Sequence, residues 1–77
     1  MTNVQKKNTY TYYAVLLNEQ VDANLAGDRK QEFSIMREKE QLINRVPPKY
    51  QKEIRNAGRL LAQAIRQEEI RKGFRAG

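Results

Sequence analysis

Three stretches of the chain repeat apolar side chains at helical spacing, and two short breaks separate them. Between residues 9 and 26, Tyr10, Tyr13, Ala14, Leu17, Val21 and Leu25 fall on one side of a 3.6-residue wheel. Thr9 to Leu17 is also rich in Thr, Tyr and Val, which favour strands. A lone strand would have no partner elsewhere in the sequence, and the helical pattern continues past Leu17. The pattern therefore predicts a helix over 9–26, with Asn8 or Thr9 as its cap. Residues 1–8 (MTNVQKKN) are polar and aperiodic and predict a flexible tail.

Ala26-Gly27-Asp28 is the first break. Gly27 can take the left-handed conformation that closes a helix, and Asp28, with Gln31 three residues on, has the spacing of a capping box. A second helix is predicted over 28–46. Phe33, Ile35, Met36, Leu42, Ile43 and Val46 fill about half its wheel, and charges of alternating sign fill the rest. Val46-Pro47-Pro48 is the second break, because a residue before proline is driven out of the helical region. Pro48 suits the first position of a third helix, which the pattern places over 48–72 with Gly73 as its terminator. Residues 74–77 are expected to fray.

The prediction is thus an all-α, small three-helix domain over 9–73. A short turn at Pro47-Pro48 implies that the second and third helices pack as a C-terminal antiparallel hairpin. Ile54, Ala57, Leu61 and Ala64 of the third helix follow a-and-d spacing, which permits close helix approach. The second helix would dock on this seam, or a second copy or a partner helix would. Gly58 within the same helix costs about 1 kcal/mol relative to Ala, which a close backbone approach would justify.

Composition narrows the function. The chain has 77 residues and neither Cys nor His, so disulfides and Cys/His zinc sites are excluded. General base chemistry by His and nucleophilic chemistry by Cys are excluded with them. The four glycines are scattered and form no phosphate loop, and the carboxylates match no metal motif. A binding protein without cofactor or metal, rather than an enzyme, is expected. The longest apolar run, Tyr12 to Leu17, is far short of the ~20 residues of a membrane span. With the lack of Cys, that points to a cytoplasmic setting.

Charge gives the main positive signal. The net charge is +6, and residues 47–77 hold most of the excess: Lys49, Lys52, Arg55, Arg59, Arg66, Arg71, Lys72 and Arg75 against Glu53, Glu68 and Glu69. Lys52, Arg55, Arg59 and Arg66 fall within an arc of about 60° and would form a row about 20 Å long. No acidic residue interrupts it. Such a row suits a phosphate backbone. Lys49, Arg71 and Lys72 would extend it, and Gln63 and Asn56 at its edge could reach bases or sugars. An ordinary solvated helix face is the plain alternative.

Nucleic acid is therefore the first expected partner. An acidic protein surface is the second, met through the Ala-rich seam or through Tyr12, which points away from Tyr10 and Tyr13. A role as a structural subunit, including as a homodimer, is the third. The pattern over 28–72 resembles small helical-hairpin proteins that dimerise and grip double-stranded nucleic acid by shape, with no specific motif behind the likeness.

Overall fold

The computed structural model describes residues 1–76, with side chains through Gly73. It holds three helices: α1 over Asn3–Leu25, α2 over Arg29–Asn44 and α3 over Pro48–Ala76. The all-α prediction stands, with several boundaries moved.

The first helix starts six residues before the predicted position, so most of the expected tail is helical. Thr2 is its N-cap. The Thr2 hydroxyl accepts from the Gln5 backbone N–H, and the Gln5 side chain accepts from the Thr2 N–H, which completes a capping box. Four orphan donors otherwise disfavour a helix start, and this pair satisfies two of them.

The break at Gly27 forms as predicted. Gly27 sits at φ 73°, the left-handed region. Its N–H donates to Asn24 O at 3.1 Å and the Asp28 N–H to Ala23 O at 2.9 Å, the two bonds of a Schellman closure. Asp28 then caps α2 by accepting from the Gln31 N–H at 3.1 Å. The second helix stops at Asn44, two residues before the predicted end. Pro48 opens α3 as expected, but Gly73 does not end it, and the helix continues to Ala76. The frayed tail expected at 74–77 lies outside the residues whose side chains are described.

Helix α1 is the centre of the fold. On one side α2 runs antiparallel to it, pairing Tyr12 with Glu38 and Asn24 with Glu32. On the other side α3 runs parallel to it, pairing Lys6 with Glu53, Asn18 with Ala62, and Asp22 with Arg66. The predicted antiparallel hairpin turned at Pro47-Pro48 forms, but its two helices do not pack along their length. Helices α2 and α3 meet beside the Pro47-Pro48 turn, where Gln51 donates to Ile43 O and Val46 O, and then each follows α1. The molecule measures 44 × 29 × 14 Å, twice as wide as it is thick, as expected of helices laid side by side. Its radius of gyration, 13.8 Å, exceeds the about 11.5 Å of a compact domain of this length.

Two apolar clusters hold the layer. Leu16, Ala23 and Ile35, with Leu42 against them, join α1 to α2. Ile43, Val46 and Ile54 join all three helices near the turn, covered by Tyr10, Tyr13 and Tyr50. Burying one such Leu or Ile contributes about 1.5–3 kcal/mol.

The α1–α3 contact is built differently. Ile54, Gly58, Ala62 and Arg66 form an i, i+4 row on α3, facing Lys6, Tyr10, Ala14, Asn18 and Asp22 on α1. A Cβ at Gly58 would lie 2.5 Å from Tyr13 Cδ1 and 3.2 Å from Tyr10 O. That is the close approach anticipated at this glycine, made by α1 rather than by α2. The predicted 54–57–61–64 seam is therefore replaced by the 54–58–62–66 row. Ala57 and Leu61 are half-buried at its edge, and Ala64 is exposed.

Candidate nucleic-acid interface

The basic arc of α3 divides along its length. Lys52, Arg55 and Arg59 are exposed. Arg66 is not free, because it is the next member of the row that packs on α1. Its guanidinium donates to Asp22 Oδ1 at 2.8 Å, to Asn18 O at 3.2 Å and to Asn18 Oδ1 at 3.4 Å. The expected four-membered row thus shortens to three, Lys52 to Arg59, spanning about 10 Å at 1.5 Å per residue.

Of the flanking cations, Lys49 is exposed with its Nζ 5.0 Å from the centre of the Tyr50 ring. Arg71 and Lys72 are exposed on the segment of α3 that extends past the end of α1, turned away from the arc. Gln63 is exposed beside Arg59. Asn56 Oδ1 accepts from Arg59 at 3.5 Å.

Among the described residues the ion pairs are Lys6–Glu53 at 3.4 Å and Arg66–Asp22 at 2.8 Å. Lys52, Arg55 and Arg59 therefore have no carboxylate within ion-pair distance. The cations of α2 are likewise without ion pairs among the described residues, but they alternate with Glu32, Glu38 and Glu40, whereas no acidic residue lies among Lys52, Arg55 and Arg59 on their arc.

The residues proposed from sequence for a partner seam separate as well. Ile54 and Gly58 are buried against α1 and offer nothing to a partner. Tyr12 is exposed, as expected, but donates its hydroxyl to Glu38 Oε1. That bond, more than burial, raises the phenol above its ordinary value. Tyr12 thus bridges α1 and α2 rather than waiting free.

Sequence reasoning missed a channel on one face of the layer. Tyr13, Met36, Lys39, Glu40, Ile43 and Arg55 line its first stretch, where α2 and α3 flank α1. A second hollow, one helical turn further along α1, lies between α1 and α3 and is lined by Leu17, Asn18, Val21, Arg59, Ala62, Gln63 and Arg66. Burial lowers the Lys39 ammonium pKa, and the nearby Glu40 carboxylate offsets some of that shift. The i, i+4, i+8 run Tyr13, Leu17, Val21 was visible in the sequence as a core stripe. Only the flatness of the fold leaves it partly open.

Among the described residues no cluster of acidic side chains could hold a metal ion, and no helix is long and apolar enough to cross a membrane. Comparison with protein-family models, with curated proteins and with solved structures finds no match to this chain.

Proposed function

We propose that this protein acts by binding nucleic acid, without catalysis, through the Lys52, Arg55 and Arg59 face of α3. The observation that carries the reading is that these three exposed cations share one arc of α3 with no acidic residue among them and no ion pair, whereas Arg66 is drawn to Asp22. Their span of about 10 Å covers about three phosphates at 3.4 Å per step of one strand. Arg can hold a phosphate with two hydrogen bonds, and a rigid helix fixes the spacing of the row. Lys49 lies at the start of the row, Gln63 lies beside its end, and Arg71 and Lys72 supply further positive charge on the overhang.

The test is a fluorescence-anisotropy titration against single- and double-stranded DNA and RNA at two salt concentrations. The variant is Arg55→Glu/Arg59→Glu, both exposed, which leaves the Arg66–Asp22 contact in place. Binding that weakens steeply with salt and disappears in the variant supports the reading. Binding retained in the variant rejects this face, and no binding at low salt rejects the function. A protein partner is the second reading, favoured by the partly apolar hollows along α1.

A further inference from the structure

We infer that the channel made by the two hollows along α1 receives an acidic amphipathic helix of a protein partner. The inference goes beyond nucleic-acid binding: it adds the apolar channel floor and shares Arg55 and Arg59 with the basic arc.

The floor is one straight ridge of α1. Tyr13, Leu17 and Val21 recur every fourth residue and therefore stand one above another over about 12 Å. Met36 of α2 is 38% exposed and borders the first stretch of the floor, and Ala62 of α3 borders the second. The opposite face of α1 is mixed: Thr11, Glu19 and Asp22 are polar or acidic there, among the exposed Val4, Tyr12 and Val15, and Tyr12 is engaged with Glu38 of α2.

Packed helices lie about 8–10 Å apart axis to axis. Since α2 and α3 sit on either side of α1, a fourth helix laid on the ridge can touch all three. It would bury side chains spaced i, i+3, i+4 and i+7, the usual anchors of a helix in a groove. The floor is largely aliphatic, and its one ring, Tyr13, is half-buried with Lys39 Nζ 5.7 Å from its centre. Stacked bases need open aromatic faces, so the floor suits aliphatic anchors better than a single strand.

Charge selects the sign of the occupant. The lining carries Arg55, Arg59, Arg66 and Lys39 against the single carboxylate of Glu40, and of these Arg66 is already paired with Asp22. A helix with Glu or Asp flanking its apolar stripe complements them. A second copy of this chain, with net charge +6, does not. Arg55 and Arg59 belong to both surfaces, so an acidic helix and a nucleic acid would exclude each other.

The test uses the whole protein and a fluorescein-labelled synthetic helix of about sixteen residues, with Leu at i, i+4, i+7 and i+11 and Glu on both flanks. One control is the same composition scrambled, and another replaces Glu by Lys. Val21→Glu and Met36→Glu alter exposed floor positions, so folding is retained, and Val15→Glu makes the same change on the far face of α1. The expected result is saturable one-to-one binding in the micromolar range. Val21→Glu and Met36→Glu should weaken it about tenfold or more, as loss of a buried anchor does, while Val15→Glu and both control peptides show no comparable effect and no comparable binding, respectively.

Equal binding of the scrambled peptide, or equal effects of Val21→Glu and Val15→Glu, would overturn the inference. So would a single-stranded oligonucleotide that perturbs the NMR signals of Leu17 and Val21 when the acidic peptide does not, or self-association of the free protein through this face. Lys52→Glu separates the two readings. It lies outside the channel and should weaken oligonucleotide binding while leaving peptide binding unchanged. Peptide binding without any oligonucleotide binding would sink the nucleic-acid reading alone.

Discussion

The two flanks of α1 are joined to their neighbours by different means. On the α2 flank, branched aliphatic side chains fill space: Leu16 and Ile35 are buried, with Leu42 packed against them. On the α3 flank, small residues let the backbones approach, and polar bonds complete the contact. Ala14, Gly58 and Ala62 are buried there, and Asn18 and Arg66 reach across. An aliphatic interface tolerates a little slack, because its energy scales with area. A close-approach interface fails when a single atom is added. Both flanking helices leave large apolar side chains outside, Phe33 at 64% on α2 and Leu60 at 63% on α3, but the α3 flank also draws one arginine of the basic arc inward.

Breaking the aliphatic flank should have the largest effect. Leu16→Ala is expected to cost about 3 kcal/mol, the usual range for a buried Leu truncation, read as a lower urea midpoint in chemical denaturation. An effect below about 1 kcal/mol would mean that α2 is not held by this cluster.

Gly58→Ala sharpens the comparison by its sign. Helix propensity alone favours Ala by about 1 kcal/mol. The new Cβ meets Tyr13 and the Tyr10 carbonyl, and overpacking of that kind costs about 1–3 kcal/mol. Net destabilisation is expected in the same denaturation experiment. A stabilised protein would show that α3 does not press on α1 at this point.

Arg66→Gln should cost less than either, about 1 kcal/mol or below, because the pair with Asp22 is partly exposed to solvent. A double-mutant cycle with Asp22→Asn measures the coupling, and zero coupling would make the contact incidental.

The smallest effect concerns pH. The Glu38 bond raises the Tyr12 phenol above its ordinary value of 10.0. The folded state then holds a proton that the unfolded chain releases. The stabilising contribution is present below pH 10.0 and is lost as pH rises from there through the folded pKa. Tyr12→Phe should therefore lose less stability than the wild-type protein above that pH, and parallel pH profiles would remove the Tyr12–Glu38 link.

The pattern of helix, break and helix was readable because its causes are local. Gly27 and Asp28 form their closure and cap from neighbouring residues, and Pro48 opens α3 where its missing N–H is harmless. The start of α1 was readable too, since Thr2 and Gln5 have capping-box spacing, but the polar composition of 1–8 masked it. Pairing was not readable. A wheel shows that α3 has an apolar side without showing which helix will cover it, and both the 54–57–61–64 seam and the 54–58–62–66 row fit the residues. Only the partner decides between them, and α1 selects the second by pressing Tyr10 and Tyr13 against Gly58 and bonding Asn18 to the Ala62 carbonyl. The loss of Arg66 from the exposed arc follows from that choice, through Asp22, 44 residues away in sequence. Lys52, Arg55 and Arg59 stay exposed because they lie on a face of α3 that neither register covers.

The most direct test of the account is the salt dependence of oligonucleotide binding in Arg59→Gln and Arg66→Gln, measured side by side with the wild-type protein. If the exposed arc grips phosphate, Arg59→Gln lowers the slope of log K against log salt by about one, while Arg66→Gln leaves the slope unchanged and alters only stability. Equal loss of slope in both variants would put Arg66 at the phosphate rather than on α1 and contradict the division of the arc. An unchanged slope in both would remove α3 from the interface.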